Sequence, residues 1–157
     1  MADSSQDVAN FGLARPPLVY SSLIVVGAIL EYLWHLPFLP DAIAVPLGIL
    51  LVVAAVALFV ASVGKFRAAG TPVPGNQPTT AIVRVGPYRL SRNPIYLAFS
   101  LLHLGIAIWA NSLWLAATLV VAILVMALVV IPREERYLER RFGADYLDYK
   151  NSVRRWI

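Results

Sequence analysis

Four apolar stretches divide the chain: Leu18–Leu36, Ile43–Val63, Ile95–Ala110 and Leu113–Ile131. A helix needs about 20 apolar residues to cross a hydrocarbon core of about 30 Å. The third stretch falls short, which predicts a helix that begins at Pro94, tilts, or draws on the interface. The links "LPFLPDA" and "NSL" leave room only for turns, so each consecutive pair of spans is expected to form an antiparallel hairpin. An even number of spans puts both termini and the 64–93 connection on one side.

The cations follow that division. All 13 Lys and Arg residues, from Arg15 through Lys65, Arg67, Arg84, Arg89 and Arg92 to the run Arg133–Arg155, fall on the same side. By the positive-inside rule that side is cytoplasmic. The pattern predicts an all-α membrane protein of one domain, with four transmembrane helices in two antiparallel hairpins. Both termini are cytoplasmic and a cytoplasmic helical extension follows the last span. In a bacterial cell this is a multi-pass protein of the inner membrane.

The parts outside the spans are a polar tail at 1–15, the 64–93 loop and the C-terminal hairpin with its tail, 94–157. The tail lacks the short apolar core and cleavage site of a removable signal, so the first span is expected to persist. Prolines at 72, 74 and 78 in "AAGTPVPGNQPTT" exclude regular helix there. A loop that packs over a site is expected instead.

Composition narrows the chemistry. With 59% hydrophobic and 14% charged residues, and a mean hydropathy of +0.71, the surface does not suit water. Zero cysteines exclude disulfides and thiolate chemistry, and two histidines in separate apolar stretches leave no metal site. The net charge of +4 is explained by topology, so no nucleic-acid partner is expected. What remains is carboxylates, arginines, tyrosines and a bound cofactor.

One constellation stands out. The fourth span runs past Pro132 into "REERYLERRFGADYLDYKNSVRRWI", so Glu134 and Glu135 emerge one turn beyond the membrane. In a tight final hairpin they face Arg92, Asn93 and Tyr96. Those residues form either a salt-bridged interface with the headgroups or one wall of a binding site. Tyr137, Tyr146 and Tyr149 fit an interfacial belt. Glu31 is the one acid inside a span, but it falls about 20 Å from the cytoplasmic end. It reads, with Trp34 and His35, as an outer-leaflet cluster. His103 reads as an interhelical hydrogen-bonding group.

"AGTPVP", "TTAIVRVGPYRLSRNPIYLA", "PREERYLERRFGADYLDYK" and "VRRWI" together resemble the isoprenylcysteine carboxyl methyltransferase family, which is similar in its C-terminal half to phospholipid methyltransferases. The likeness runs from about Phe66 to Ile157. It implies an S-adenosyl-L-methionine cofactor at the cytoplasmic membrane face and a lipophilic acceptor that enters from the bilayer. The acceptor would be a prenylcysteine-like carboxylate or a lipid headgroup. Carried over by position, the cofactor-binding residues are Thr80, Ala81, Ile82, Val83, Tyr88, Arg92, Asn93, Pro94, Ile95, Tyr96, Glu134 and Glu135. Glu135 and Arg133 are the candidate catalytic residues. Two positions depart from the pattern: Asn93 stands for a histidine, and Val130 stands where members that methylate prenylcysteine carry an arginine.

Those residue types suit the chemistry. A sulfonium donor with an amino-acid tail needs an anion for its ammonium, a cation for its carboxylate and an apolar slot for adenine. Glu134 or Glu135, Arg92 with Asn93, and Ile82, Val83 and Leu97 match these needs. Tyr88 or Tyr96 offers an aromatic face to the sulfonium. Methyl transfer gains chiefly from alignment, and an amine acceptor also needs a base, for which Glu135 is nearest. Two other readings stay open: a sterol-type NADPH-dependent membrane reductase, and a non-catalytic membrane module of the same fold.

Overall fold

The computed structural model describes residues 15–72 and 79–157. Residues 73–78 of the proline-rich stretch expected to cover the site therefore lie outside the described residues, as does nearly all of the N-terminal tail. Six α-helices follow in order: α1 (Pro16–Leu33), α2 (Asp41–Ala68), α3 (Pro94–Trp109), α4 (Leu113–Val125), α5 (Ile131–Phe142) and α6 (Ala144–Ser152). A 3-10 turn at Gly86–Arg89 precedes α3, and no strand occurs among the described residues.

Sequence chemistry sets most of the helix ends. Pro16 and Pro94 open α1 and α3, where a missing N–H leaves no hydrogen bond unmade. Ser112 caps α4 by accepting from the Leu115 amide at 3.2 Å. α1 stops at Leu33, ahead of Pro37 and Pro40, whereas α2 runs five residues past its apolar stretch and carries Lys65 and Arg67. α4 does not end at the membrane edge. It passes through a π-helical turn at Met126–Val130 straight into α5, giving one run from Leu113 to Phe142. Pro132 explains the turn, because it cannot donate to the carbonyl four residues back and its ring crowds that group.

Among the described residues, three helical runs are long and apolar enough to cross a membrane: Pro16–Leu33, Asp41–Ala68 and Leu113–Phe142. α3 is apolar but shorter, as the sequence predicted. Of the two expected hairpins, α3 and α4 pack on each other, but the larger contacts run between the pairs. α1 lies along α4 and α2 lies along α3, with α1 and α2 scarcely touching.

Small residues permit these contacts. A Cβ on Gly48 would sit 2.4 Å from the Trp109 amide nitrogen, and one on Gly105 would sit 2.9 Å from the Val52 nitrogen. A Cβ on Gly27 would meet Thr118 at 2.8 Å. Such close backbone approach adds van der Waals contact where lipid offers no hydrophobic drive to pair helices.

The far end of the bundle is tied by polar groups. Asn111, in the left-handed region at φ 49°, accepts from the amides of Phe38 and Leu39 at 3.0 and 2.9 Å. Its own amide donates to the Leu39 carbonyl and to Asp41. Glu31 accepts from Ser112 at 2.6 Å and pairs with His35. The Glu31 cluster is therefore a lock between the two connections, distant from the glutamate pair. His103 is buried and lies 3.3 Å from the Thr118 hydroxyl, the interhelical role expected of it.

The core sits nearer the other end. Tyr20, Phe66, Tyr88, Ile95, Tyr96, Met126, Val130 and Ile131 are buried together, and Trp156 packs against them. Leu50, Val53, Val60, Val120, Leu124 and Leu128 point outward, which suits helices that face lipid.

Candidate functional site

The core end holds two cavities that share a wall. The larger has a volume of about 580 Å³ and is enclosed by the start of α1, the last turns of α2 and the start of α3. Its lining is mainly apolar: Pro16, Leu18, Phe59, Val63, Ile95 and Phe99 are examples. The smaller, about 50 Å³, lies among Thr79, Ala81, Ile82 and Val83 on one side and Leu138, Tyr146 and Tyr149 on the other. Phe66, Tyr88, Arg92, Asn93 and Glu134 line both.

Two junctions build that wall. Pro94 starts α3, so the residues just before it leave the helix and point across its end. Helix α5 enters from the opposite direction. Its period buries Ile131, Glu134, Glu135 and Tyr137 on one side and leaves Arg133 and Arg136 exposed on the other.

The two glutamates have different partners. Tyr96 donates to Glu134 Oε2 at 2.6 Å, and Glu134 has no cation within ion-pair distance among the described residues. Glu135 is held by two arginines: Arg155 donates to it with Nε at 3.1 Å and Nη2 at 2.7 Å, and Arg92 Nη1 stands 3.1 Å from Oε1. Arg92 is nevertheless short of partners. Its Nε and Nη1 are buried and make no hydrogen bond among the described residues. The Tyr88 hydroxyl and Thr79 Oγ1 share that condition, which normally calls for a water or a ligand.

The tyrosines are not an exposed belt. Tyr137, Tyr146 and Tyr149 are all buried, and Tyr149 donates to the Tyr88 carbonyl at 2.7 Å. Burial pushes the Tyr149 phenol up to about 12, partly offset by Arg92 and Arg84. Burial also raises Tyr88, with the Glu134 and Tyr149 charges adding to it, and raises Tyr146, where Glu135 adds. All three are held as neutral phenols.

Of the residues expected at the site, the structure brings together Ala81, Ile82, Val83, Tyr88, Arg92, Asn93, Pro94, Ile95, Tyr96, Glu134 and Glu135. Thr80 is corrected by one position: it is exposed, its amide donates to Thr71 Oγ1, and Thr79 lines the smaller cavity instead. Arg133 is exposed and lines neither cavity, because its place on α5 faces away from Glu134. Leu97 and Val130 also line neither, and Val130 is fully buried in the core.

The terminal segment after α6 is the part that residue reading missed. It folds back on the start of α3: the Arg92 amide donates to the Arg154 carbonyl at 3.0 Å, and Asn93 Nδ2 donates to the Arg155 carbonyl at 3.0 Å. Ser91 reaches the same carbonyl at 3.3 Å. The paired arginines of "VRRWI" beside paired glutamates were the available signal, but nothing local said that the tail returns.

The sequence model of the phospholipid methyltransferase family matches residues 43–145. The chain belongs to that family. The match takes in nearly all of α2 through α5, so it begins ahead of Phe66 and ends in the first turn of α6, before the returning tail. A protein of Haemophilus influenzae described as "Uncharacterized protein" is 45% identical over 65 residues, 40% of this chain and 100% of that one. No solved structure matches. Membership of the phospholipid methyltransferase family makes the chain a membrane methyltransferase, and its three long apolar helices fit an integral membrane protein.

Proposed function

We propose that the chain is an S-adenosyl-L-methionine-dependent methyltransferase acting on a lipophilic acceptor at the cytoplasmic membrane face. The carrying observation is the shared wall of the two cavities. It places a buried guanidinium, Arg92, close to a buried carboxylate, Glu134, and among the described residues the first has unused donors and the second has no cation. That pair fits the carboxylate and ammonium of an amino-acid tail. S-Adenosyl-L-methionine, when bound, supplies an electrophilic methyl group on a sulfonium.

The chain's residues divide the remaining work. Ala81, Ile82 and Val83 offer an apolar surface for a purine, and the Tyr88 ring lies on the shared wall where a cationic centre gains from an aromatic face. The smaller cavity is below the size of ligand pockets, roughly 300–1,000 Å³, so its walls of loop and α6 must part on binding. The larger cavity is of ligand size and mostly apolar, which suits an acceptor's lipid portion. Alignment of donor and acceptor in a dry site can contribute roughly 7–11 kcal/mol. A carboxylate acceptor needs no base. An amine does, and Glu135, which two arginines already occupy, is poorly placed to supply one.

For topology we keep four spans, with α3 as the short one and the cations toward the cytoplasm of an inner membrane. Tyr32, Trp34 and Trp109 are exposed near the end opposite the cavities, where interfacial aromatics would sit. Prenylcysteine-like carboxylates and lipid headgroups are both accommodated by this reading.

Calorimetry in detergent tests it. Micromolar S-adenosylhomocysteine binding is expected in wild type, lost in Glu134→Gln and Arg92→Ala and kept in Glu31→Gln. NADPH binding in its place would favour the sterol-type reductase, and binding of neither would favour a non-catalytic module. Labelled-methyl transfer to a membrane lipid extract then identifies the acceptor by mass spectrometry.

A further inference from the structure

We infer that Arg155 is a positioning residue of the donor site: by occupying Glu135, it keeps Arg92 available to an anionic group in the cavities. The inference rests on the proposed function and concerns a residue outside the stretch matched by the family.

Geometry carries it. Arg155 grips both oxygens of Glu135 in a fork, through Nε at 3.1 Å and Nη2 at 2.7 Å. Such a pairing is the strongest that a carboxylate makes with a side chain. Arg92 Nη1 lies 3.1 Å from Glu135 Oε1 yet makes no hydrogen bond to it, and Nε is likewise unbonded among the described residues. Glu135 thus neutralises one arginine of the two, which leaves Arg92, Arg155 and Glu135 together with one net positive charge. Arg92, the better buried, lines both cavities, while Arg155 lines neither.

Removing the Arg155 side chain changes the arithmetic. One carboxylate then faces one guanidinium, and Arg92, already 3.1 Å from Oε1, turns its N–H groups onto the freed oxygens of Glu135. The donors of Arg92 are consumed internally and an incoming carboxylate meets a neutral pair. The tail itself should stay in place, because Arg92, Asn93 and Ser91 hold it through the carbonyls of Arg154 and Arg155, which a side-chain truncation leaves intact.

The test is calorimetry with two probes, S-adenosylhomocysteine and 5′-methylthioadenosine, the second lacking the amino-acid tail. Arg155→Ala should weaken the first by about tenfold or more, the worth of one charged hydrogen bond, and leave the second nearly unchanged. Adding Glu135→Gln to Arg155→Ala should restore the first, since nothing then competes for Arg92. Unchanged S-adenosylhomocysteine affinity in Arg155→Ala overturns the inference. So does equal weakening of both probes without recovery in the double variant, which is the signature of a merely structural arginine. Failure of wild type to bind S-adenosylhomocysteine overturns the donor-site reading itself, a distinguishable result.

Discussion

The Tyr96 hydroxyl donates to Glu134 Oε2 at 2.6 Å, joining the start of α3 to the start of α5 across 38 residues of chain. Both side chains are buried and Glu134 has no cation among the described residues, so this bond is a principal support of that carboxylate. Replacing Tyr96 with Phe should cost about 1–3 kcal/mol, the usual penalty for leaving a buried polar group short of a partner. Thermal unfolding in detergent checks this. An unchanged midpoint would mean that Glu134 finds another partner.

Alkaline pH offers a second check. The folded pKa of Tyr149, about 12, lies above the ordinary 10.0, so the neutral phenol is the form that the fold favours. Its contribution to stability is complete below pH 10.0 and is lost as pH rises toward about 12. Wild type should lose unfolding free energy in that window, and Tyr149→Phe should lose less. Identical pH profiles would contradict the assignment.

The α2–α3 contact depends on a missing side chain. Gly48→Ala would place a Cβ 2.4–2.5 Å from Trp109 backbone and Cβ atoms, which forces the helices apart and should cost about 1–3 kcal/mol or more. Gly64→Ala, on the same helix with nothing within 4 Å, is the matched control and should not destabilise. Equal effects of the two would remove close packing as the cause.

At the far end, Asn111→Ala loses bonds to Phe38, Leu39 and Asp41 and strains a left-handed backbone. Asn111→Gly relieves only the strain, worth about 1–2 kcal/mol. Both variants should unfold more readily than wild type, with Ala the worse. Cofactor binding should survive where the fold does, because this lock is remote from the cavities. If Asn111→Gly matched wild type, the bonds would carry no weight.

Much of this protein follows from local patterns. Runs of apolar residues specify the long helices because the spans must satisfy their own backbone groups in lipid. Pro94 marks the start of α3 because only a first-turn position tolerates its missing N–H. Residues Arg92 to Tyr96 and the glutamate pair can be placed near each other because one short turn joins α3 to α4, bringing distant residues to the same end.

Side-chain direction and long-range return were decided elsewhere. The burial of Glu134 and Glu135 against the exposure of Arg133 depends on how α5 is rotated after its π-helical turn, and no adjacent pair of letters encodes a rotation. Thr79 rather than Thr80 faces inward for a similar reason. The sequence by itself determined helices of membrane length and the residue types that the proposed methyl-donor site uses. Only the tertiary structure decided that α1 pairs with α4, that among the described residues Glu134 lacks a cation while Glu135 has two, and that the tail returns to supply Arg155. Each of those depends on contacts between residues far apart in the chain, where packing and charge are settled jointly.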